Sequence, residues 1–120
     1  MPVHRDGLGG AESRASTFTA PANTTGQTTV LTELGDEQEF LVEEVYVKIP
    51  AEAGTDVSVQ VFAGAKPIAP VDNPLRLSGE YVGLAAHELL SAGDKLVVDH
   101  SNATGSDRSV TVIVAGLTPG

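Results

Sequence analysis

Cysteine and tryptophan are both absent from this 120-residue chain, phenylalanine occurs three times and tyrosine twice. Without cysteine there are no disulfides and no thiolate metal sites, whatever the compartment. Without tryptophan, a saccharide-cleaving or saccharide-binding cleft lacks its usual stacking platforms. Basic residues are scarce: seven Lys and Arg stand against sixteen Asp and Glu, a formal charge of −9. Lys48, Lys66 and Lys95 are the lysines. Nucleic acid is therefore not an expected partner, because phosphate neutralisation needs clustered cations. No apolar run approaches the length of a bilayer span, so no membrane partner is expected either. Met1 to Ser16 scatters Arg5, Asp6, Glu12 and Arg14 among glycines with no apolar segment. The expectation is a chain without a secretory signal, assembled in the cytoplasm. The acidic balance has two readings, a solvated acidic surface or adaptation to high salt, where self-repulsion is screened.

What is present is β-pattern. Lys95 to His100 is a β-rich run, Ser101 to Asp107 a polar loop, and Ser109 to Ala115 sets Val110, Val112 and Val114 against Ser109, Thr111 and Ile113. Thr55 to Ala63 alternates Val57, Val59 and Val61 with Asp56, Ser58 and Gln60, as half-buried strands do, and reads as a hairpin with the strand before it. That preceding run, Glu39 to Ile49, keeps its carboxylates out of the core only if a β-bulge falls at Glu43 and Glu44. The bulge joins Phe40 and Val42 to Val45, Val47 and Ile49. Ser16 to Ala20 predicts a short first strand ended by Pro21. Thr28 to Leu34 predicts a second, with Val30 and Leu34 on one face and Leu31 on the other. Pro67, Pro70 and Pro74 confine Gly64 to Ser78 to an edge or a connection, with a short strand at Leu75 to Leu77. Glu80 to Leu90 is ambiguous: Tyr81-Val82 is strand-like, whereas Leu84 to Leu90 is compatible with one or two helical turns. The fold class is all-β: an antiparallel two-sheet sandwich, best matched by a single jelly roll of about eight strands. One domain covers residues 16–120, preceded by a flexible arm, residues 1–15.

No constellation carries chemistry. His87-Glu88-Leu89-Leu90-Ser91 starts like the zinc-protease pattern but has Ser91 where the second imidazole belongs. His4, His87 and His100 are too scattered for a cupin-type metal centre. The carboxylates at Glu33, Asp36, Glu37, Glu39, Glu43 and Glu44 read as solvated turn charges, with Asp36 and Asp94 as weak candidates for a cation between subunits. No serine lies in a nucleophile elbow, and Gly7-Leu8-Gly9-Gly10 opens no phosphate-binding unit. No catalytic residue, cofactor or metal site is expected. Asn23-Thr24-Thr25 and Asn102-Ala103-Thr104 match the glycosylation pattern, but Asn102 is better read as serving its own turn, where Asn tolerates positive φ.

The strand Thr28-Thr29-Val30, the run Phe40 to Ile49, Asp56 to Phe62, Leu90 to Val98 and Asn102 to Val114 together resemble small β-sandwich proteins that decorate the heads of tailed viruses, including those of haloarchaea. The resemblance spans about residues 16 to 116 and rests on strand-and-turn chemistry. It implies a non-enzymatic virion component on the capsid surface, a homo-oligomer in contact with a major capsid protein or other virion proteins. Strand parity places Leu31, Phe62 and Ile113 on outward faces, and these are the expected interface residues. The alternative is a sugar- or surface-binding sandwich module, with Tyr46 and Tyr81 as its platforms.

Overall fold

The computed structural model describes residues 10–35 and 38–118. It contains eight strands: β1 (Gly10–Ala20), β2 (Thr24–Glu33), β3 (Phe40–Lys48), β4 (Val57–Ala63), β5 (Lys66–Ala69), β6 (Val82–Leu90), β7 (Lys95–Asn102) and β8 (Arg108–Thr118). They form two four-stranded antiparallel sheets of order β1-β8-β3-β6 and β2-β7-β4-β5. That order is the jelly roll, two interleaved Greek keys. The first is called here the front sheet and the second the back sheet.

Period-2 alternation supplies the core. Val57, Val59 and Val61 from β4, Leu96 and Val98 from β7, and Val110, Val112 and Val114 from β8 all point between the sheets and are buried. The predicted bulge is present: the register of β3 shifts between Val42 and Glu44 against both neighbours. Phe40, Val42, Val45, Val47 and Ile49 are consequently all fully buried, while Glu44 is exposed and Glu43 half-buried. The guanidinium of Arg14 lies 4.9 Å from the centroid of the Phe40 ring, closing the core at its β1 end.

Four local expectations are corrected. β3 and β4 are not a hairpin; a 3-10 turn at Ala51–Ala53 carries the chain from the front sheet to the back one. Alternation reports which face of a strand is buried and is silent about its partner. β1 starts at Gly10, not Ser16, and pairs with β8 along its whole length; residues 1–9 of the expected arm lie outside the described residues. In β2 a register shift between Val30 and Thr32 turns Leu31 inward with Leu34, leaving Val30 49% exposed. Leu75 makes only an isolated bridge to Val59 rather than a strand through Leu77. The ambiguous Glu80 to Leu90 is resolved as strand β6 at the front-sheet edge, tertiary pairing overriding the helix-forming Leu and Ala. The proline-containing β5 is an edge strand, as expected.

Two buried polar residues organise the interior. Asn102 is fully buried. Its Nδ2 donates to the carbonyls of Ala20 and Ser106 at 2.8 Å each, and its Oδ1 accepts from Thr104 N at 2.8 Å and Thr104 Oγ1 at 2.6 Å. The residue ties the end of β1 to the β7–β8 loop. The positive φ expected at Asn102 belongs instead to Asn23, at 54°. The second is His100, 3% exposed, its ring 4.7 Å from that of Phe18. Nε2 lies 3.0 Å from Thr29 Oγ1, and buried Nδ1 has no hydrogen-bond partner among the described residues.

Placing the proton on Nε2, donating to Thr29, leaves a bare acceptor rather than an orphaned N–H. Charging the ring would bury a second donor without a partner. Burial therefore holds the His100 pKa below its ordinary 6.5, with the carboxylate of Asp99 opposing weakly. The unfolded chain then binds the proton first, so this residue's contribution is complete above about pH 6.5 and is lost as the pH falls below it. Urea unfolding between pH 7 and 5 is expected to show stability decreasing with acid, and His100→Leu is expected to flatten that segment of the profile.

Candidate functional site

The features that stand out are the outer faces of the two sheets. Register lines up their outward side chains in rows across four strands. On the front sheet one row runs Ala11, Leu117, Leu41, Leu89, and a second runs Ala15, Ile113, Tyr46, Gly83. Between them lies Ser13, Ala115, Glu44, Ala85, with the bulged Glu43 beside Glu44 on the same surface. Leu89 is 54% exposed. Below them Lys48 on β3 closes over the Tyr81 ring, its Nζ 5.5 Å from the centroid.

The back sheet is divided. One half of its outer face carries the row Val30, Val97, Phe62, Pro67; exposed Val71 lines a hollow with Pro67 at the β5–β6 edge. The other half is polar: Thr28, Asp99 and Gln60 in one row, Ser101 and Ser58 in the next.

The three predicted interface residues are distributed across these surfaces. Phe62 and Ile113 sit in the outward apolar rows of opposite sheets, each half-buried by its neighbours. Leu31 packs against the core, because the bulge beside it reverses its direction. Val97, Leu41 and Leu117 escaped sequence reasoning. Each alternates correctly with buried neighbours, but only the pairing register aligns them with Val30, Phe62 and Leu89.

Both tyrosines expected as sugar platforms are engaged within the chain. Tyr46 spreads over its cross-strand partner Gly83, where an added Cβ would lie 3.1 Å from Tyr46 Cε1. A hydrogen bond to Glu44, together with lost hydration and the charge of that carboxylate, raises the Tyr46 pKa above 10. The face of Tyr81 carries Lys48. His87 is exposed on a strand, and Glu88 beside it bonds Lys66 Nζ at 2.9 Å, so the zinc-like fragment serves an edge ion pair. Asp94 caps its turn, accepting from Ser91 N at 2.8 Å; Asp36, the other cation candidate, lies outside the described residues. Among the described residues no group of three or more His, Asp or Glu side chains is placed to hold a metal ion, and no helix is long and apolar enough to cross a membrane.

No family model matches this chain, and no curated protein sequence does. Solved structures do. The capsid asymmetric unit of cyanophage Pam1 is 15% identical, with 98% of this chain and 90% of that chain aligned at a TM-score of 0.62. The capsid of Helicobacter pylori bacteriophage KHP30 is 15% identical over 92% of this chain and 94% of that chain, at 0.55. The C-terminal domain of EclA, a sugar-binding protein, is 21% identical over 90% of this chain and 81% of that chain, at 0.51. At such identities the likeness is one of fold: this chain has the eight-stranded sandwich that phage capsid structures also contain.

Proposed function

We propose that this chain is a non-enzymatic structural component of a virion, which decorates or cements a capsid surface through contacts between β-sandwiches. It assembles with itself as a homo-oligomer and with the major capsid protein or other virion proteins, in the host cytoplasm. The observation that supports this most directly is the front-sheet outer face, whose three rows are apolar or small apart from Ser13 and the adjacent carboxylates Glu43 and Glu44 at the bulge, in a chain of net charge −9. A sheet face exposed to water is ordinarily polar. Apolar area removed from water contributes about 25 cal/mol per Å², and cyclic symmetry repeats each contact around the ring. The likeness to capsid folds agrees with this reading.

Native mass by light scattering tests it. The full chain is expected to form a closed oligomer, favoured in molar salt because screening relieves repulsion between acidic copies. Phe62→Ser is expected to lower the mass while leaving the circular dichroism spectrum unchanged, and Leu41→Ser and Ile113→Ser probe the front sheet in the same way. A mass unmoved by all three, or a monomer in every salt, would count against these faces. The contribution of the arm is read by deleting residues 1–9. A longer deletion, through residue 15, removes half of β1 and with it part of the β8 ladder.

A further inference from the structure

The polar half of the back sheet is the floor of a groove that assembly does not explain. Its volume is about 290 Å³. Ser58, Gln60, Asp99 and Ser101 form the floor and Gly26 of β2 one wall, while Pro74 and Arg76 stand opposite. That second wall is fixed in place. Leu75, between Pro74 and Arg76, exchanges two backbone hydrogen bonds with Val59, of 2.9 and 2.8 Å, so the connection after β5 folds back along the β4 edge.

The floor is pre-arranged and has hydrogen-bonding capacity to spare. Asp99 Oδ1 accepts from Thr28 Oγ1 at 2.6 Å, which orients the carboxylate and leaves Oδ2 without a side-chain partner among the described residues. Gln60 Nε2 donates to the Pro70 carbonyl at 2.9 Å, which fixes the amide with its oxygen available. The hydroxyls of Ser58 and Ser101 bond each other at 3.0 Å; one proton and several lone pairs remain. Arg76 reaches the Thr55 carbonyl only weakly, at 3.4 Å, and keeps most of its donors.

We propose that this groove binds a neutral, hydroxyl-rich ligand, the terminal ring of a saccharide. Acceptors (Asp99, Gln60) in one row lie beside donors (the serines in the next row, Arg76 on the facing wall), which suits groups that both donate and accept. An anion would meet Asp99 and the net negative field. A cation would meet Arg76 and find a single carboxylate. The volume is at the lower limit for small-molecule pockets, enough for one ring, with Pro74 as an apolar wall. Open on one side and without an aromatic platform, such a site binds weakly, with a dissociation constant on the order of 1 mM.

Two-dimensional amide NMR on the full chain, titrated with a panel of neutral monosaccharides, tests the proposal. At least one sugar is expected to move the amides of Ser58, Gln60, Asp99 and Ser101 saturably. Asp99→Ala, an exposed position, is expected to weaken that sugar about tenfold, as loss of a hydrogen bond to a charged group does; Arg76→Ala weakens it less. Silence of those amides with every sugar overturns the proposal, as does saturable movement confined to Tyr46 and Tyr81, or an affinity indifferent to Asp99→Ala. Inorganic phosphate and calcium, titrated separately, are expected to leave the four amides unmoved; saturable binding of either overturns the assignment to a neutral ligand. The variants lie outside the apolar rows, so oligomer mass reports on assembly independently.

Discussion

Gly116→Ala is expected to prevent stable folding, or to cost about 3 kcal/mol or more in chemical denaturation, which a shift in the denaturation midpoint at unchanged slope will show. Gly116 is buried on β8 opposite the β3 bulge. A Cβ built there would overlap the Leu41 carbonyl oxygen more closely than real Cβ atoms ever do. It would also lie 2.9 Å from the Leu41 carbonyl carbon and 3.1 Å from Phe40 Cζ. The obstacle is backbone in a central pair of the front sheet, so no rotamer change relieves it. Either the β3–β8 ladder parts at the bulge, or the Phe40 ring leaves a site where it is fully buried. Gly83→Ala is the control: there the neighbour is the edge of the Tyr46 ring, 3.1 Å away, which can tilt outward, and the loss is expected to stay below about 1 kcal/mol.

Asn102→Ala is expected to cost about 3 kcal/mol by the same measurement, because it removes the side-chain partner of the Ala20 carbonyl and of the Thr104 amide in a buried site. Asn102→Asp is expected to be nearly as damaging. It keeps the acceptor but loses the two Nδ2 donations and adds a charge with no water around it. Amide exchange should localise the damage, with protection lost in the β7–β8 loop and at Asn23, whose N–H bonds the Thr104 carbonyl at 3.0 Å. The same burial makes Asn102 a poor glycan acceptor in the folded chain; Asn23 is the exposed one.

Sequence reasoning reached the fold class because valine alternation in β4 and β8 declares a buried face directly. It reached the β3 bulge because the alternative buried carboxylates. It failed where the deciding fact was a partner. The inward positions of β1 include Glu12 and Arg14, which read as an arm. They are tolerated at a sandwich margin, where Arg14 Nε bonds Glu12 Oε2 at 2.6 Å and its Nη1 bonds Thr32 at 2.8 Å. Leu31 was assigned outward by a parity count that a single bulge inverts. The apolar rows were half legible: Phe62 and Ile113 announced themselves, but Val97 joined Phe62 only through register. The groove was illegible, since its wall comes from a proline-rich connection whose path back to Val59 leaves no periodic trace.

The strand order has a consequence for how such a chain can be made. Six of the seven connections between consecutive strands pass from one sheet to the other, so nearly every ladder joins segments far apart in sequence, a topology that folds in milliseconds to seconds. Of the four strands that occupy inner positions, β3 and β8 in the front sheet and β4 and β7 in the back sheet, β7 and β8 are the last of the eight in chain order. Until they emerge, β1 and β2 have no partner at all, and β3 and β4 have only edge strands. During synthesis only the β4–β5 and β3–β6 ladders can form before β7 and β8 are made, and each sheet closes only when its own late inner strand arrives.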